Sequence, residues 1–202
     1  MKNFIRTGFI AAIVIVVVAL ASPLFYDTDI NEPLPVELEK IKQGLTYDKF
    51  ATMDDDDRQP VIEKMPEKVK EMVMVKAETM VTTVSEDMDE MTSDSPESSV
   101  DILKTGSFEG LAGHYADGTA KIIKVGDLTY LRFENFEVTN GPDLRVYLTS
   151  EGDVKNGLHL EKLKGSKGDQ NYLLENIDLQ IYDTVIIYCQ PFGVYFGEAQ
   201  LG

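Results

Sequence analysis

The chain has 202 residues, with 35 acidic against 19 basic side chains and a formal net charge of −16 at pH 7. Binding nucleic acid requires a concentrated basic surface, and none occurs, so no nucleic-acid partner is expected. A single cysteine excludes an internal disulfide, a Cys-x-x-Cys dithiol and a Cys-x-x-Cys-His haem attachment.

Lys2 and Arg6 precede residues 8–21, which carry no charge and are dominated by Ile, Val and Ala. Continued to Tyr26 the stretch has nineteen residues, close to the roughly 20 that a helix needs to cross about 30 Å of hydrocarbon. Residues 1–26 therefore read as a transmembrane anchor, with the basic flank cytoplasmic and Phe25 and Tyr26 at the outer interface. Ala19-Leu20-Ala21 also fits the small-x-small pattern before a signal-peptide cleavage site. The anchor is favoured because apolar residues resume after Ser22. Both readings export the rest, and the expectation is a single-pass cell-membrane protein, embedded through residues 8–26, with its C-terminal domain extracytoplasmic.

Residues 27–81 are acidic and partly helical. Residues 27–102 hold 21 acidic and 8 basic side chains, so most of the negative charge lies between the apolar run and the C-terminal domain. Residues 36–43 predict a short helix ended by Gly44, with a second near residues 47–50. Thr52-Met53-Asp54-Asp55 resembles a capping box. Pro66 suits the first position of a further helix, and Val69, Met72, Val73, Met80 and Val84 recur at three- and four-residue spacings as one apolar stripe. The run Asp54-Asp55-Asp56-Asp57 lacks the spaced oxygen ligands and turn glycine of a calcium loop, and reads as a solvated helix start. Methionine at helical spacing reads as packing, not metal handling. Residues 82–102 are rich in Ser, Thr, Asp and Glu, a flexible linker by composition.

Residues 103–202 read as all-β: an antiparallel sandwich or barrel of roughly eight strands. Strand-like runs cover residues 106–109, 118–125, 128–133, 144–149, 170–174, 184–189 and 193–199. Gly126-Asp127 makes a two-residue hairpin connection. Asn140-Gly141-Pro142-Asp143, Glu151-Gly152-Asp153, Asn156-Gly157 and Lys164-Gly165-Ser166-Lys167-Gly168 are turn clusters. Phe108, Phe133, Phe136, Tyr147, Tyr172, Tyr182, Phe192 and Phe196 supply a core without disulfides.

Cys189 ends a β-branched run just before Pro191, where a strand ladder must stop. An exported lone thiol is a buried filler, an intermolecular link or a chemical centre. His114, in Gly113-His114-Tyr115, is the natural second ligand or thiolate-stabilising base, and His159 a weaker candidate. All eight methionines lie at or before Met91, so a copper site would need His114, His159 and Cys189 with a non-Met axial group. Haem ligated by Cys189 is the other cofactor compatible with these residues. No Gly-x-Ser-x-Gly elbow and no His-Glu-x-x-His helix occurs, which argues against a hydrolase.

Gly106-Ser107-Phe108, Gly113-His114, Gly118-Thr119-Ala120, Leu131-Arg132-Phe133-Glu134-Asn135-Phe136, Asn140-Gly141-Pro142-Asp143-Leu144, Leu163-Lys164-Gly165, Gly168-Asp169-Gln170-Asn171-Tyr172 and Val185-Ile186-Ile187-Tyr188-Cys189 follow one another in the order of the DM-thirteen domain family, which residues 103–202 resemble end to end. The anchor, acidic helices and Phe50-x-x-Met53 segment are similar to its prokaryotic members. The resemblance implies an extracytoplasmic electron-transfer domain working through the C-terminal cysteine, here Cys189, as a bare thiol or as the ligand of a prosthetic group. Two functions are thus expected: a membrane-tethered redox module with an unidentified protein partner, or a binding domain with a structural cysteine.

Overall fold

The computed structural model describes residues 32–88 and 99–202. The apolar run from residue 8 to Tyr26 lies outside the described residues; among the described residues no helix is long and apolar enough to cross a membrane. Residues Leu34–Gly202 form one compact unit.

Among the described residues eight antiparallel strands follow four short helices: α1 (Leu34–Ile41), α2 (Tyr47–Thr52), α3 (Asp55–Glu63), α4 (Glu67–Glu78), β1 (Val100–Gly110), β2 (Ala116–Val125), β3 (Leu128–Val138), β4 (Leu144–Thr149), β5 (Leu158–Lys162), β6 (Gln170–Leu173), β7 (Thr184–Cys189) and β8 (Val194–Gln200). The strand order is β5-β4-β7-β8-β1-β2-β3-β6. β1 joins the two halves: its first part pairs with β2, and Phe108 to Gly110 pair with β8. The sheet therefore bends around one core as a nearly closed sandwich. Phe108, Phe133 and Phe136 meet there with ring centroids 4.7–4.9 Å apart, joined by Tyr172, Val146, Val185, Ile187 and Cys189.

Alternation decides which side chains enter that core. In β4, Leu144, Val146 and Leu148 are buried while Arg145 and Tyr147 point to the outer face and are half-buried. β3 runs five residues past its expected end at Phe133, because Asn135 takes a positive φ of 49° opposite Gly118 at 114°. That bulge brings Gly118 so close to the Phe136 backbone that a Cβ there would lie 2.7 Å from the Phe136 Cα.

The helices have a small core of their own, formed by Leu38, Phe50, Val61, Val69, Val73 and Ala77, all buried. Val69 and Val73 of the expected stripe are in it. Met80 and Val84 lie beyond the end of α4. The expected capping box is not formed: the Thr52 hydroxyl donates back to the Asp48 carbonyl at 2.7 Å, and Asp54 takes the N-cap position of α3. Asp54 to Asp57 are all exposed at this helix start, as expected of a solvated first turn.

The residues read as a linker are structured at both ends. Lys167 N–H donates to the Thr82 carbonyl at 3.1 Å, Val84 N–H to the Lys167 carbonyl at 2.9 Å and Glu86 N–H to the Asp169 carbonyl at 3.0 Å. The Glu86 carboxylate accepts from Lys164 Nζ and the Asn171 amide. Residues 82–86 thus form a strap across the 164–169 turn, and Val100 opens β1 on the far side of residues 89–98, which lie outside the described residues. Gly168 makes the crossing possible. Its φ is 104° and a Cβ would collide with the Val84 carbonyl oxygen.

Candidate functional site

Cys189 ends β7 between Leu144 of β4 and Val194 of β8, and its side chain faces the sandwich core, fully buried. The turn that follows is closed by the Gly193 amide donating to the Cys189 carbonyl at 2.9 Å. Burial pushes the thiol up to about 12; the Phe192 and Asp143 amides and the Arg58 charge pull it down, and the Asp143 carboxylate pushes it further up. The thiol therefore keeps its proton at neutral pH.

What covers this end of the sandwich comes from the helices. Phe50 of α2 is fully buried and stacks on Phe192, with ring centroids 5.9 Å apart. Tyr47, at the start of the same helix, is raised to about 12 by burial, then by the charges of Asp48 and Cys189. From α3, the Arg58 side chain, 1% exposed, donates through one terminal nitrogen to Asp143 Oδ2 at 2.7 Å; that carboxylate is also 1% exposed. The other terminal nitrogen donates to the Met53 carbonyl, and the guanidinium lies 5.7 Å over the Phe50 ring. The Phe50-x-x-Met53 segment thus holds Arg58 in place from two sides. Among the described residues Arg58 Nε has no hydrogen-bond partner.

A second pair ties the cap to the outer face. Arg145 of β4 donates to both Asp55 carboxylate oxygens, at 2.8 and 2.6 Å, and to Asp143 Oδ2 at 3.0 Å. Burial raises Asp55, but the hydrogen bonds and charge of Arg145 outweigh it, so its carboxyl lies below the ordinary value. A group depressed on folding stabilises above its unfolded pKa, about 3.9 for Asp, and loses that contribution as pH falls through the folded value. The Asp55 side chain is 44% exposed, so solvent screening limits this to about 1 kcal/mol or less. Below about pH 4, the stability of Asp55→Asn should fall less steeply than that of the unaltered chain; equal slopes in unfolding measured across this range would remove the latch role.

Of the expected site residues, Cys189 lies at the centre of this cluster. His114 sits in the β1–β2 turn, its ring stacked on Phe196 at 3.7 Å and 7°. Burial lowers its pKa against the opposing charge of Glu78, and the groups acting on the thiol are Phe192, Asp143 and Arg58. His159 lies on the edge strand β5, its ring 5.1 Å from that of Tyr147. Among the described residues no three His, Cys, Asp or Glu side chains converge as metal ligands. A copper site needs a thiolate with two imidazoles, and haem ligation needs an accessible thiolate. An enclosed, protonated Cys189 fits neither group in this conformation.

Residues 107–201 match the family model DM13, described as Electron transfer DM13. The match begins near the point where β1 passes from β2 to β8, so the matched residues lie within the sandwich, and α1 to α4 and the strap precede them. No curated protein and no solved structure matches the chain. Composition and motifs pointed to Cys189, but Arg58 and Asp143 were not singled out. They stand 85 positions apart in the sequence, and the only local sign was a lone arginine after four aspartates.

Proposed function

We propose that this chain is an electron-transfer module tethered to the outer face of a membrane by residues 8–26, acting through Cys189 beneath a helical cap. The electron-transfer role rests on the DM13 match. The tether rests on the uncharged N-terminal run and its basic flank. For Cys189 the supporting observation is its surroundings: the thiol sits at a strand end, in the field of a fully buried arginine, and is closed off by α2 and α3 rather than by the sheet alone.

As a bare thiol, Cys189 works by exchange with a partner disulfide. Once the cap moves, the thiol loses its proton to solvent and attacks one partner sulfur; a mixed disulfide forms and the other sulfur leaves as thiolate. A second, external thiol then attacks the Cys189 sulfur of the mixed disulfide; the partner leaves as a dithiol, reduced by two electrons, and Cys189 is left in a disulfide with that thiol. The enclosed thiol itself favours a second reading, in which Cys189 is core and the domain binds a partner without redox chemistry.

External protease should remove the domain from intact cells while carbonate-washed membranes retain an N-terminal fragment; a mature N-terminus at Ser22 would replace the tether with a cleaved leader. Cys189→Ser should abolish exchange with the partner and keep the fold, since it costs on the order of 1–3 kcal/mol for one unpaired hydroxyl. Unchanged exchange in that variant would leave the binding reading.

A further inference from the structure

The outer face of the β5-β4-β7-β8 half of the sheet carries a row of aromatic rings, one per strand. His159 of β5 pairs across the ladder with Tyr147 of β4. The Tyr147 ring meets Tyr188 of β7 edge to face, with centroids 5.9 Å apart at 81°. Tyr188 in turn pairs directly with Tyr195 of β8, 5.1 Å apart at 75°. The row crosses the sheet from its β5 edge inward, stepping diagonally from Tyr147 to Tyr188, which pairs with Arg145. It ends one ladder position from the Cys189 and Val194 pair.

The three tyrosine rings are on the face away from the core, half-buried rather than sealed. The edge-to-face geometry puts each phenol ring against its neighbour with no aliphatic side chain between the rings. Contact at 5.9 and 5.1 Å between centroids keeps each ring-to-ring step short, and phenol is among the most readily oxidised side chains. Burial raises both Tyr147 and Tyr188 above the ordinary phenol value, so each is a neutral phenol that must release a proton when it gives up an electron.

We propose that Tyr147, Tyr188 and Tyr195 form a one-electron relay across the outer face of the sheet, serving a high-potential one-electron oxidant of a partner, a metal centre or an organic radical. The inference rests on the electron-transfer reading of the DM13 domain. In the first step Tyr147 passes one electron to the oxidant and its phenolic proton to water, leaving a neutral phenoxyl radical and a reduced oxidant. In the second, Tyr188 gives one electron to the Tyr147 radical and one proton to water, while Tyr147 takes a proton back. The same exchange moves the radical to Tyr195; the net result is one electron carried from Tyr195 to the oxidant and one proton released to water, with Tyr195 left as a neutral phenoxyl radical. His159, exposed at the sheet edge beside Tyr147, marks where the oxidant docks.

The test uses the full chain with a ruthenium bipyridyl complex coordinated to His159, the site of attachment confirmed by peptide mass spectrometry. Flash-quench excitation generates Ru(III) at that edge, and a nitroso spin trap marks where the radical settles. In the unaltered chain Tyr195 should carry trap. In Tyr188→Phe, which keeps the ring and its packing, Tyr195 should lose most of that labelling while Tyr147 gains it. Circular dichroism confirms that the variant is folded. Equal Tyr195 labelling in both chains, or labelling confined to Tyr147 in the unaltered chain, overturns the relay and reduces the row to packing. This readout is independent of Cys189 and of any natural partner. Radical migration without partner exchange in membranes would count against the electron-transfer reading and not against the relay.

Discussion

Asp143→Ala should destabilise the chain by about 3–5 kcal/mol, the usual cost of leaving a buried charge without its partner. Arg58 would then have only Asp55, 3.8 Å away, as a carboxylate neighbour while remaining 1% exposed. Arg58→Met should cost less, because Asp143 keeps Arg145 at 3.0 Å and Lys162 at 3.7 Å. The asymmetry separates an ion pair from simple volume loss. Replacing both residues by apolar ones should recover much of the loss, since a buried pair seldom outweighs well-packed hydrophobic side chains. Denaturant unfolding of the three variants measures this. Equal losses in the two single variants would mean that the Arg145 and Lys162 contacts contribute nothing to holding Asp143.

Phe50→Ala should cost a comparable amount, about 3–5 kcal/mol for a large aromatic removed from a fully enclosed site. The ring stacks on Phe192 and lies under the Arg58 guanidinium, so its loss loosens α2 from the turn that follows Cys189. A second, diagnostic effect is therefore expected: faster reaction of Cys189 with a small neutral thiol reagent. Stability lost without any gain in thiol reactivity would mean that the sheet, and not the cap, shields the sulfur.

Much of the sandwich was legible because its strands alternate. Residues 144–149 and 184–189 were expected at the boundaries found for β4 and β7, where β-branched and apolar residues recur and turn clusters flank them. β5 was missed: Leu158–Lys162 is an edge strand with polar residues on both faces, and Gly157 before it reads as part of a turn. The first half of β1 was missed because Val100, Ile102 and Leu103 follow directly on the Ser/Asp/Glu-rich stretch and were read with it or left outside the strand-like runs. Composition also hid the strap, because its hydrogen bonds run through backbone groups and the two glycines of the 164–168 turn rather than through apolar side chains.

Cys189 was legible as the only thiol. Its protection was not. The sequence offered a short helix around residues 47–50 and an acidic run after it, but no local pattern tells that Phe50 and Arg58 close over a turn more than 130 positions away. His114 was read as a second ligand or thiolate-stabilising base from its residue type and its loop position, whereas its ring lies on Phe196. Tyr147 was expected in the core, but the alternation of β4 puts it on the outer face, where the register of β4 on β7 brings it against Tyr188.

The most direct test of the account is the oxidation state of Cys189 in native membranes. Cells expressing the full chain are quenched in acid, unfolded, and treated with a maleimide polymer that adds mass to each free thiol, so burial no longer affects the readout. With an external disulfide oxidant and then a thiol reductant, the account predicts that the modified fraction falls and recovers, and that it does so faster in Phe50→Ala. A thiol that stays fully reduced under every condition, in both chains, would contradict it.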